Sequence, residues 1–253
     1  MTRAMTDLTK AVLLLVSAIA LSSCRDDDSK GSSAGSSLPQ GSEPVELDPA
    51  DFTTEIDNPY WPLKVGSRWV YRETDSEGAN QRVVVTVTNK TKMVANGIEA
   101  RVVRDVVTED GQPVEVTDDW YAQDSDGNIW YLGEDTTDYE DGKPKSTEGS
   151  FEAGVDGALP GIALPAQPEE GMTYRQEYYA GEAEDAGEVV RTDAQAESPF
   201  GHFTGVLMTQ DTNPLEPKTL EFKFYARDVG PVVAIAVSGS SDREELISYS
   251  PGG

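Results

Sequence analysis

Polar and apolar residues alternate with a period of two through most of this chain, the signature of strands with one buried face. In residues 67–73, Trp69 and Tyr71 fall on one face while Arg68, Val70 and Arg72 take the other. Val83, Val85 and Val87 alternate with Arg82, Val84, Thr86 and Thr88. The clearest case is 219–226, where Leu220, Phe222, Phe224 and Ala226 share a face opposite Glu221, Lys223 and Tyr225. Residues 232–237 are apolar on both faces and predict a central strand. Residues 243–250 read as a last edge strand. Asn96-Gly97, Asp110-Gly111 and Asp126-Gly127-Asn128 are hairpin signals. Trp120 and Trp130 flank the third of these, which predicts a cross-strand aromatic pair. Residues 58–62 set Tyr60 and Trp61 among prolines, a rigid entry segment whose rings cap one edge of a core.

From 135 to 168 the alternation thins. Leu159, Ile162 and Leu164 are expected there in a long loop covering one end of the core. No sustained helical period occurs after residue 51. The pattern therefore predicts a mainly β domain over 51–250, built on a curved antiparallel sheet that forms a barrel, a half-barrel or a sandwich. Gly66, Gly97 and Trp120-Tyr121-Ala122 find counterparts at Gly171, Gly201 and Phe224-Tyr225-Ala226, a nearly constant offset. Repeats at 65–135 and 170–237, from a tandem duplication, would explain it.

Two earlier stretches break the pattern. Residues 25–50 are rich in Ser, Gly, Asp and Pro with few large apolar side chains, which predicts a disordered tether over 24–50. Before it, Arg3 and Lys10 precede an apolar run from Ala11 that reaches Leu21 and ends in Ser22-Ser23-Cys24. This is the layout of a secretory signal peptide (1–23), too short for a span of about 20 apolar residues. The Leu21-Ser22-Ser23-Cys24 ending resembles the lipobox of bacterial lipoproteins. The resemblance implies cleavage before Cys24 and a diacylglycerol anchor with palmitate-type chains on its sulfur. It also implies residence in the cell envelope, on the cell membrane or the outer membrane. Arg25 stands where an inner-membrane retention signal would carry Asp. The phrases GHFTGVL and FYARDVGPV are similar to segments of uncharacterised bacterial exported lipoproteins. Cys24 is the single cysteine, so no internal disulfide can form.

Charge narrows the partners. The chain carries 20 Lys and Arg against 46 Asp and Glu, a net charge of −26. Cleavage before Cys24 removes two basic and one acidic residue. So acidic a body repels phosphate backbones, which excludes nucleic acid, and it stands off anionic lipid.

No catalytic motif rises from the rest. His202 is the single histidine and lies between aromatic residues, where a packed or surface strand position is the ordinary fate. One histidine and a lipidated cysteine leave no zinc site. Asp124, Asp126 and Asn128 recur at calcium-loop spacing, but Gly127 falls fourth rather than sixth, so an Asp-Gly turn is the simpler reading. Asp135, Asp138, Glu140 and Asp141 form a second acidic run that would hold calcium weakly. Carboxylate pairs for glycoside hydrolysis carry no signal in so acidic a chain. The sequence thus predicts a non-catalytic module without cofactor that binds an apolar ligand, a lipid or an envelope partner. A calcium-responsive or structural acidic surface protein is the alternative, and a hydrolase comes third.

Overall fold

In the computed structural model, residues 38–74 and 80–253 are described. Cys24 and the signal peptide lie outside them. Among the described residues the single helical element is a 3-10 turn, Pro49–Asp51, capped by Asp48. Everything else regular is antiparallel strand, as the alternation predicts.

A short strand β1 (Phe52–Thr53) leads into the entry segment. Five strands then run as a meander: β2 (Arg68–Thr74), β3 (Asn80–Met93), β4 (Glu99–Glu109), β5 (Gln112–Asp124) and β6 (Ile129–Glu140). Two short pieces, β7 (Lys143–Ser146) and β8 (Phe151–Glu152), pair back onto β6. Next come β9 (Leu159–Leu164), β10 (Thr173–Arg175) and β11 (Glu177–Tyr178). A second meander follows: β12 (Ala186–Ser198), β13 (Gly201–Thr212), β14 (Leu220–Ala226), β15 (Gly230–Ser238) and β16 (Arg243–Ser250).

The sheet runs β10-β12-β13-β14-β15-β16-β2-β3-β4-β5-β6-β9-β11. Its two ends are one piece of chain, because Gln176 alone separates β10 from β11. Thr173–Arg175 pairs with β12, and Glu177–Tyr178 pairs with β9. The curved sheet therefore bends round into a barrel whose ends meet on the segment 173–178. A ring of this many strands is wider than side chains alone fill, which leaves room for a lumen.

Several expectations change here. Residues 159–164 are not a covering loop; they are β9, the strand that brings β6 to the seam. Nor is β16 an edge, since it pairs with β15 on one side and β2 on the other. The cross-strand aromatic pair of the 124–129 hairpin is Tyr121 on Tyr131, stacked at 5.0 Å, while Trp130 packs edge-on against Phe52 at 6.0 Å. A bulge between Asp119 and Tyr121 shifts the register and separates the tryptophans. Residues 38–50 do not hang free. Leu38, Val45 and Leu47 pack against the core, and the buried Arg175 guanidinium donates to the carbonyls of Gly41 and Glu43 at 2.8 and 2.7 Å. Arg175 also grips Pro160 O on β9 with two donors, so one side chain ties the start of the domain to the seam.

The turns at Asn96-Gly97 and Asp110-Gly111 form as read, with Asp110 and both glycines at positive φ. The turns before β2 and β10 are held alike: Gly66 N–H donates to Val87 O, and Gly171 N–H donates to Val189 O.

Candidate functional site

The strand register gives the barrel two unlike ends. The connections after β2, β4, β6, β13 and β15 gather at one, and those after β3, β5, β12 and β14 at the other. The second end is plugged by the entry segment. There Ile56, Tyr60 and Leu63 are buried, Asp228 N–H donates to Pro59 O, and Asn58 Nδ2 donates to the carbonyls of Gly127 and Pro165. Trp69, fully buried, donates from Nε1 to Val229 O at 2.7 Å and stacks on Tyr249 at 5.1 Å. Trp61, in the same segment, lines the cavities above the plug.

Above the plug the interior is hollow, with polar and apolar groups mixed in its walls. One cavity of about 250 Å³ is lined by Trp61, Tyr71, Asp105, Asp119, Lys223 and Glu244, among others. A second, of about 200 Å³, is lined by Tyr131, Glu177 and Asp185 and shares Trp61, Tyr121, Lys223 and Tyr225 with the first. Trp61 meets Tyr121 edge-on at 5.2 Å and lies 6.2 Å from Tyr225, so these rings stand between the two hollows. Carboxyl groups and aromatic rings share these walls with aliphatic side chains, Val85, Val103, Pro231 and Ala234 in the first cavity and Ala163 in the second.

Lys223 is central to both cavities. Its ammonium lies 2.8 Å from Asp211 and 3.3 Å from Glu221, and 36% of its side chain is exposed. Burial alone would lower its pKa, but Asp211 and Glu221 outweigh burial and hold it above the ordinary lysine value. The surrounding carboxyls shift the other way. Burial, with Glu115 and Glu73 nearby, raises Asp105 to about 7. Burial and the charge of Asp105 raise Glu244 to about 8. Glu177, buried beside Asp185, is pushed up to about 9. Asp119 and Glu134 are raised by burial too, and both contact the Tyr131 hydroxyl, at 2.8 and 2.6 Å. A hydroxyl has one proton to give, so one of those two carboxyls supplies its own.

The residues singled out in the sequence lie elsewhere. Asp124 is the hub of the 124–129 turn. It accepts from Asp126 N–H, Asn128 N–H, Asn128 Nδ2 and Trp130 Nε1 at 2.7–3.0 Å, so both of its oxygens are committed. Asp135, Asp138 and Glu140 are not a loop: they continue β6, with Asp135 and Asp138 on opposite faces, and Asp141 follows in a turn. His202 is exposed on β13, opposite Glu197. Among the described residues no three acidic, histidine or cysteine side chains stand together as a metal site would need. Replacing Asp124 with alanine is expected to cost about 2–4 kcal/mol in a urea melt, since several bonds to one charged acceptor go together. Calcium is expected to leave the melting temperature of the parent protein unchanged; a calcium-dependent rise would restore the calcium-loop reading.

No protein-family model matches the chain, and no curated protein matches it. Among solved structures it is similar to a candidate lipoprotein from Parabacteroides distasonis, with 11% identity and a TM-score of 0.39, over 76% of this chain and 98% of the other.

Proposed function

We propose that this chain is an exported lipoprotein whose barrel, tethered by lipid on Cys24, holds a small ligand in its lumen without transforming it. The observation that carries the reading is a barrel plugged at one end and hollow above the plug, with two cavities meeting at Trp61, Tyr121, Tyr225 and Lys223. Binding sites favour such mouths of barrels, with aromatic walls and a few placed polar groups. The tether reading supports the location: a basic start, a short apolar run and Leu21-Ser22-Ser23-Cys24 precede a body of net negative charge that anionic lipid would repel. Two or more acyl chains give stable anchoring where one does not. The ligand is then met in the cell envelope, and nucleic acid is no partner.

Native mass spectrometry of protein taken from membranes in mild detergent tests both halves. A diacylglycerol mass on the peptide beginning at Cys24, lost in Cys24→Ala together with membrane association, is the expected result. A co-purifying small molecule released by unfolding the barrel is expected with it. An unmodified Cys24 would remove the anchor.

A further inference from the structure

We infer that the lumen selects a small organic cation, an amine or guanidinium group, over apolar, anionic and metal-ion ligands. The inference rests on the lumen being the binding site. Three independent features of the hollow point the same way.

The first is its balance of charge. Asp105, Asp119 and Glu244 line the larger cavity, Glu177 and Asp185 the smaller, and Lys223 is the one basic side chain in either lining. Lys223 is already engaged by Asp211 and Glu221. It shows how this interior holds an ammonium: two carboxylates at 2.8 and 3.3 Å with the Tyr225 ring nearby. The carboxyls of the cavity walls, which burial keeps largely protonated near neutral pH, offer the same oxygens without a cation of their own in the lining, and a bound cation would take the place of those protons.

The second is unspent hydrogen-bonding capacity. Asp105 Oδ1 is a buried atom without a hydrogen-bond partner among the described residues, and it belongs to a cavity wall. Buried polar groups are ordinarily paired, and a donor-rich ligand would pair this one. An apolar ligand would leave it stranded, and an anion would meet carboxyl oxygens.

The third is the aromatic wall. Trp61, Tyr121 and Tyr225 face both hollows, and electron-rich ring faces attract cations, organic ammonium groups included. A metal ion would instead require several oxygens converging at one point, and among the described residues no such group of three occurs. Dispersed carboxylates with aromatic walls suit a cation that carries its own carbon skeleton.

The experiment is calorimetric titration of the signal-less soluble domain, residues 38–253, with putrescine, agmatine and tetramethylammonium. Octanoate, benzyl alcohol and calcium chloride serve as contrasts. Its folding is checked first by circular dichroism against the full-length protein in detergent, on which the titration is repeated. At least one organic cation is expected to bind and to alter tryptophan fluorescence through Trp61. Affinity is expected to fall about tenfold or more from pH 8 to pH 6, because the cation must displace protons from Asp105 and Glu244. The groups facing these two are Tyr71, Glu73, Glu115, Asp119, Glu221 and Lys223. The double variant Asp105→Asn, Glu244→Gln is expected to lose that binding while melting no lower than the parent at pH 8, which separates lost recognition from lost folding. Binding of octanoate, benzyl alcohol or calcium alone would overturn the cation inference and leave the lumen as a site. Binding of none of the six would overturn both.

Discussion

Placing a single methyl group at Gly161 is expected to prise the barrel apart. A Cβ there would run into Gln176 O and sit 2.5 Å from Arg175 O, backbone atoms of the seam that cannot swing aside as a side chain could. The chain passes that close because β9 and the segment 173–178 cross where the two ends of the sheet meet. Gly161→Ala must therefore move backbone, at a cost of about 3 kcal/mol, the upper part of the usual range for overpacking. The damage should be local first. Gln176 N–H donates to Asp185 O at 2.8 Å, and that amide should exchange with solvent much faster in the variant. Gly201→Ala is the control, since its Cβ would find neighbours only at 3.8 Å and beyond. If Gly161→Ala melts with the parent and keeps its protected seam, the closure described above is wrong.

The second large effect is on pH. Asp105 at about 7, Glu244 at about 8 and Glu177 at about 9 all bind protons more tightly in the folded chain than unfolded aspartate or glutamate does. Burial is the leading cause at each. A carboxyl whose folded pKa is raised gives its full stabilisation below its unfolded value, and loses it as pH rises through the folded one. Stability from these groups is thus complete near pH 4 and declines through pH 7 to pH 9. Water in the cavities screens part of the effect. A melting temperature about 5–10 °C lower at pH 9 than at pH 5.5 is expected for a domain of this size. Asp105→Asn with Glu244→Gln should flatten the decline. A protein that instead grows more stable from pH 5.5 to pH 9 would mean that these carboxyls are not buried as described.

Most strands were legible in the alternation because burial on one side imposes a period of two. Trp69 and Tyr71 do face inward, and the Val83, Val85, Val87 face does line the interior. The strand with the clearest pattern misleads about direction. In β14 the face carrying Glu221, Lys223 and Tyr225 is turned to the lumen, and Phe222 and Phe224 are left half-buried on the other. Alternation reports two unlike faces; it cannot say which is inside when the inside is wet. The site itself was hidden by abundance, since one acid among 46 carries no mark. A signal was nevertheless there. Trp69 and Tyr71 lead to Glu73, Val103 to Asp105, Leu207 and Thr209 to Asp211. In strands of opposite direction Glu221 leads through Lys223 to Tyr225, and Glu244 to Leu246. On each of these inward faces the apolar residue stands toward the plug and the charged one toward the mouth. Reading that gradient requires knowing strand polarity around the ring, which only the pairing supplies.

The pairing of β16 with β2 sets the order of events in the life of this chain. Ser250 lies opposite Arg68, and Gly252 N–H donates to Ser67 Oγ across 185 residues of sequence. In a chain made from its amino end, that stitch cannot form until residue 252 has been added. Non-local contacts of this span make folding slow. A product cut before β16 leaves an open-sided sheet with β15 and β2 bare, fit for aggregation or proteolysis rather than service.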